Sequence, residues 1–436
     1  MAERRAAVTG LGCISALGVG TEATWQGLCE GASGIRPITA FDAGKFDVAS
    51  GGQVENFRAR DFVPKSYRKA VKVMARDIEL AVGAADLGFR DAGIKTRGID
   101  DEGDSVEPGR LGCNIGAGLI CSDLNELGLA VNTALVDGKF DLKLWGQTGM
   151  SNLTPLWLLK YLPNMLSCHV TIIHGCEGPS NCITCSDASG QMSVGEAARY
   201  ILRNTADVAI AGGAESKLNP MGMLRQHLLG RLCGPSDDPA AAVRPFDAGH
   251  AGTLVGEGGG LLILEDMDRA RSRGARVYAE VVGFGGACDP DGADIRRPNA
   301  GGISLAVKRA MKDAGIGPEK LGAIMVHGTG VPGEDVAEAD GWAEALGDRI
   351  EQIPACCLTG AVGSLFAGHG GLEVAIAAKA IAEQKLPATV NHQSPTDRCR
   401  LNFSPRSRDV EMEYILSAAF GVGGQSAAVV LKRVDS

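Results

Sequence analysis

Aromatic residues make up only 5% of this 436-residue chain, and there are seven histidines. A core short of large rings has to be built from small aliphatic side chains. The chain is rich in glycine (61 residues), alanine and valine, which suits close helix-on-sheet packing in α/β layers. Long apolar runs are also missing. Glycine or charge interrupts each one well short of a membrane span. The Met1 terminus has no apolar stretch of the secretory kind, so the expectation is a cytoplasmic protein without a signal peptide. Basic excess is absent too. A formal net charge of −9 argues against general nucleic-acid binding. An acidic partner would need a local basic patch, and Arg68, Lys69, Lys72 and Arg76 recur at roughly helical spacing. The same spacing describes a solvated helix face.

The thirteen cysteines are scattered, several in apolar strand-like runs where cysteine packs as a small hydrophobe. A reducing compartment is expected. Cys182 and Cys185 form a C-x-x-C without a second pair at zinc-binding spacing. They read as strand packing, with Cys185 as a displaced nucleophile the alternative. No metal and no cofactor is called for.

Strand-like and helix-like segments alternate throughout, which is an α/β pattern. AAVTGLG, LGCNIGAG, VAIAGGA, GLLILED, AIMVHG and AAVVLKR read as strands. SLAVKRAMKDAG and LEVAIAAKAIAEQ have helical periodicity. Continuous apolar strands imply sheets covered on both faces. In each half an Ala-rich helix follows a glycine-containing bend, GQMSVGEAARYI first and AGHGGLEVAIAAKAI later. The expected division is 1–265 and 277–436, across a charged stretch. Arg97–Pro108 is expected to be an exposed loop.

The segment GPSNCITCSDASGQMSVGEAARYI reads as a strand, a tight bend and a helix, with Asp187 at the bend. A helix N-terminus favours negative charge, and a cysteine there would be an activated thiolate. RRAAVTGLGCISALGVG, SGIRPITAFDAGKF, VHGTGVPGEDVAEADG and AAFGVGGQSAAVVLKR follow in one order along the chain. Together these segments resemble the β-ketoacyl-acyl-carrier-protein synthases. The resemblance implies a thiolase-like fold, a duplicated five-layer αβαβα sandwich, with an insertion at about 117–170 that packs at a dimer interface.

The resemblance also implies a site. Asp187 stands where the family has its acyl-accepting cysteine. His327 opens a match to the family's HGTGTP-type motif, with Asp335 and Glu338. Thr359 stands at the family's lysine and Ser364 at its second histidine. His369 falls five residues later and is expected to point elsewhere. Val422 takes the place of the gating phenylalanine, with Phe420 and Gly423 beside it on the substrate side. Asp187 is expected to stabilise the helix head, by ~0.3–1 kcal/mol at an exposed site. As a nucleophile it would form a mixed anhydride, which is prone to hydrolysis.

Three functions follow. The first is a chain length factor, the non-catalytic partner of a catalytic ketosynthase subunit, working with an acyl carrier protein. The second is a decarboxylase or hydrolase of carrier-bound thioesters that uses His327. The third is a homodimeric acyl-binding scaffold without turnover.

Overall fold

The computed structural model describes residues 4–99, 105–290 and 299–434. Ten strands form the body: β1 (Ala6–Ser15), β2 (Leu111–Gly116), β3 (Ser180–Ile183), β4 (Val208–Ser216), β5 (Glu257–Asp266), β6 (Ala279–Cys288), β7 (Leu321–Val326), β8 (Ala355–Cys356), β9 (Tyr414–Phe420) and β10 (Gln425–Lys432). The first five lie in the order β3-β2-β4-β5-β1 and the second five in the order β8-β7-β9-β10-β6. These are the same permutation. Within each half the first two pairings are parallel and the remaining two antiparallel. The duplication noticed in two helices therefore extends to whole-sheet topology. The two sheets also join at their edges, where Ala6–Val8 of β1 pairs with residues 279–281 of β6.

Five helices position the rest: α1 (Arg76–Asp91), α2 (Ser189–Leu202), α3 (Gly301–Asp313), α4 (Pro332–Leu346) and α5 (Ala367–Glu383). α2 and α5 form the middle layer. Residues 367–381 of α5 are buried on every side, as an Ala/Ile/Val helix without a polar face must be. Gly190 makes the crossing possible, because a Cβ there would sit 2.1 Å from the Gly371 nitrogen. One apolar cluster fills this layer. A second lies between α1 and the first sheet, and a third between α3, α4 and the second sheet. The result is the thiolase-like five-layer α/β sandwich.

Residues 117–170 carry a helix, Leu124–Asn132, a short hairpin and several tight turns, and they expose Leu129, Phe140, Leu142 and Leu158. The basic segment is two short 3-10 turns rather than one helix. Arg68, Lys69 and Lys72 are exposed, but Arg76 turns inward to Glu257 and Glu79. Of the loop expected at Arg97–Pro108, residues 100–104 lie outside the described residues. All thirteen cysteines are free thiols, and among the described residues no helix is long and apolar enough to cross a membrane.

Candidate active site

Asp187 sits just before α2, after a reversal at Ser186, whose φ of 52° is unusual for a residue with a side chain. Its carboxylate is 1% exposed. It does not cap the helix, as an exposed helix-head acid would. Oδ2 accepts the Ser186 hydroxyl at 2.8 Å, and Oδ1 lies 3.4 Å from His327 Nε2. The reason is burial: shut off from water, the carboxylate turns to the nearest cation. Burial alone would raise the Asp187 carboxyl, but His327 holds it well below the ordinary carboxylate range.

His327 leaves the end of β7 and is also 1% exposed. Its backbone N–H donates to Glu338 Oε1 at 2.8 Å, while Gly328 donates to Oε2 at 2.7 Å. Burial pushes the Glu338 carboxyl up to about 7 despite these donors. Asp335 accepts the backbone N–H groups of Thr329, Gly330 and Phe246. This turn is therefore fixed by two buried acids acting on backbone.

The other face of the His327 ring meets Glu373. Nδ1 lies 3.1 Å from Glu373 Oε1, and Gln191 donates to Oε2 at 2.6 Å. Burial opposes charge on His327, yet Glu373 and Asp187 together raise it well above the ordinary imidazole range. His327 lies between two carboxylates, which favour its charged form. Nδ1 is hydrogen-bonded to Glu373, whereas Nε2 lies 3.4 Å from Asp187 Oδ1 without a hydrogen bond between them.

His369 does not point elsewhere. Its ring centroid lies 4.9 Å from that of His327 at 83°, and its Nε2 is 3.2 Å from Thr359 Oγ1 and 3.4 Å from Glu373 Oε1. Counting helical turns from Ser364 failed because that residue is not helical. Ser364 pairs in a bridge with Val255, the chain reverses at Phe366 (φ 51°), and α5 begins only at Ala367. His369 thus falls on the first turn of α5. The Thr359 hydroxyl is 2.6 Å from the Gly328 carbonyl and 2.9 Å from that of His327. It donates to a carbonyl and is left to accept from His369 Nε2–H. The Leu365 N–H on His369 Nδ1, at 3.3 Å, fixes the same tautomer. Burial pushes His369 well below the ordinary range, and the His327 charge adds to that.

His327, His369 and Glu373 bring ligand-type atoms within 4.8 Å of one another. Such spacing suits a metal, but His369 presents an N–H to the cluster instead of a lone pair. Ser364 is buried, and its Oγ has no hydrogen-bond partner among the described residues. Phe420 places its ring 5.7 Å from His327. Val422 is 39% exposed, on a turn where Gly423 has φ 103°. A Cβ at Gly421 would sit 2.5 Å from that of Ser186, so this turn packs on the bend that carries Asp187. Cys185 lies beyond the end of β3, with burial raising its thiol; Cys182 is within the strand.

Residues 3–270 match the family described as "Beta-ketoacyl synthase, N-terminal domain", and residues 278–393 match "Beta-ketoacyl synthase, C-terminal domain". This chain belongs to the β-ketoacyl synthase family. A relative named 3-oxoacyl-[acyl-carrier-protein] synthase 2, from Synechocystis, is 34% identical over 433 residues, covering 99% of this chain and 98% of the relative. Among solved structures, a β-ketoacyl synthase from Burkholderia phymatum superposes with a TM-score of 0.85 at 27% identity, covering 99% of this chain and all of that one. The ishigamide ketosynthase/chain length factor superposes with a TM-score of 0.84 at 26% identity, covering both chains fully.

Asp187, His327 and Thr359, singled out in the sequence, are gathered by the fold round α2 and α5. Sequence reasoning missed Glu373 and Gln191. A signal for Glu373 was present, since it is one of only three charged residues in the run AGHGGLEVAIAAKAIAE. A buried acid needs a partner.

Proposed function

We propose that this chain is the non-catalytic, chain-length-factor-type subunit of a β-ketoacyl-acyl-carrier-protein synthase heterodimer. The observation that carries this reading is the buried Asp187–His327–Glu373 array at the head of α2. An ionised carboxylate at the nucleophile's position is a poor acyl acceptor. Its anhydride would be a high-energy product, and its charge would repel a malonyl carboxylate. Decarboxylation or hydrolysis with His327 as a base is disfavoured because carboxylates lie 3.1 and 3.4 Å from its two ring nitrogens and favour its charged form. Likeness to a solved ketosynthase/chain length factor adds support. The apolar side chains exposed on the 117–170 insertion fit a face that a partner covers, and the exposed Arg68, Lys69 and Lys72 fit an acidic carrier.

The test is co-expression with a catalytic ketosynthase subunit. A stable 1:1 complex whose product length changes when this chain is exchanged for another is the expected result. An isolated chain that releases carbon dioxide or free acid from malonyl or acyl carrier protein would overturn the reading.

A further inference from the structure

Next to Asp187 the interior carries two further buried ion pairs. Arg231 is held by Glu334 through two contacts, 2.9 and 2.8 Å, and by Gln226 Oε1 at 3.0 Å. Lys217 pairs with Glu215 and donates to the Leu119 carbonyl at 2.8 Å. Both cations are over nine-tenths buried. They flank one ring: Lys217 Nζ is 5.7 Å and the Arg231 guanidinium carbon 5.9 Å from the centroid of Phe366. Phe366 is held at φ 51° and ψ −124°, a conformation that a residue with a side chain keeps only when its surroundings impose it. Glu215 imposes part of it, since Oε2 accepts the Ala367 N–H at 2.7 Å and fixes the head of α5.

On one side this layer faces the site. The His369 N–H donates to the Phe366 carbonyl at 2.9 Å, so the ring between the two cations is one turn from the site imidazole. Beside Lys217 lies a cavity of about 410 Å³, lined by its chain neighbours Ser216 and Leu218 and by Cys121 and Tyr161 among others. An alkyl chain running from the site towards that cavity would have to part ion pairs that have no water to receive them, and methylene groups offer no replacement partner.

We propose that the Glu215–Lys217 and Arg231–Glu334 pairs around Phe366 close the interior of this chain to an alkyl group, so that the acyl chain lies in the partner subunit. The closure stands on its own; its second half rests on the heterodimer reading. The probes are dodecanoyl-pantetheine and acetyl-pantetheine, titrated against the full chain. The wild type should bind the two equally weakly. The double variants E215Q/K217M and R231M/E334Q, which keep an acceptor and remove the charges, should prefer the dodecanoyl probe by at least tenfold. A wild type that already shows that preference, or folded variants that gain none, would overturn the proposal. Should the variants not fold, a photoreactive dodecanoyl-pantetheine on the wild type decides: labelling at Cys121 or Leu218 contradicts closure, and no labelling there supports it. Co-purification with a ketosynthase is measured separately. A chain that binds a partner yet takes up the long probe overturns only the closure, and a closed chain without a partner overturns only the heterodimer.

Discussion

The heads of α2 and α5 are built alike and used differently. Each helix follows a non-glycine residue with positive φ, Ser186 at 52° three residues before α2 and Phe366 at 51° directly before α5, and both occupy the middle layer of a duplicated sandwich. At the head of α2 the reversal presents a carboxylate, Asp187. At the head of α5 it presents a ring, Phe366, then a neutral imidazole, His369, and one turn later Glu373. The repeated backbone decides where side chains meet. Single residues decide what they do on meeting, and here they put two acids beside one histidine ring.

The largest way to break this pairing is Glu373→Ala. It leaves His327 with Asp187 as its one remaining acid and takes the 2.6 Å acceptor from the Gln191 amide, and a loss of roughly 3–5 kcal/mol is expected in urea denaturation. A loss below about 1 kcal/mol would show that Glu373 does not hold the array. Next comes Gly190→Ala, which puts a Cβ 2.1 Å from the Gly371 nitrogen and forces the two helices apart. A cost on the order of 1–3 kcal/mol is expected, against almost none for Gly128→Ala, where a Cβ meets nothing within 4 Å.

These two predictions also mark what could be read from sequence. The strand–bend–helix units, the buried apolar α5 and the places of Asp187 and His327 were legible, because period and apolar pattern report burial directly. His369 was not. Its position depends on the bridge at Ser364 and the reversal at Phe366, and a non-glycine residue in a left-handed conformation leaves no local signal. The role of Asp187 was misjudged for the same kind of reason: its burial comes from the turn at Gly421–Gly424, distant in sequence.

Asp187→Asn sharpens the comparison with pH. The Asp187 carboxyl is lowered in the fold, so its contribution is present above its ordinary value of 3.8 and is lost as pH falls. His327 is raised, so its contribution is present below its ordinary 6.5 and is lost as pH rises through the folded value. The stability difference between wild type and variant should therefore be greatest between about pH 4 and 6.5, on the order of 1–3 kcal/mol, and shrink on both sides. A difference independent of pH would contradict the ion pair. In the same variant the His327 imidazole, followed by NMR, should titrate at lower pH than in the wild type.

The smallest effect is at the surface. Charge reversal at Lys69 and Lys72 should weaken association with an acyl carrier protein by about tenfold at low salt, with little effect at high salt or on folding. Unchanged binding would remove the basic segment from the docking surface.

The most direct test is intact-mass analysis of this chain after incubation with acyl carrier protein bearing an acyl group, alone and with a catalytic ketosynthase subunit. The account predicts that the mass of this chain stays unchanged in both cases, with any acyl adduct on the partner. A stable acyl adduct on this chain by itself, passing on to an elongated product when malonyl carrier is added, would contradict it.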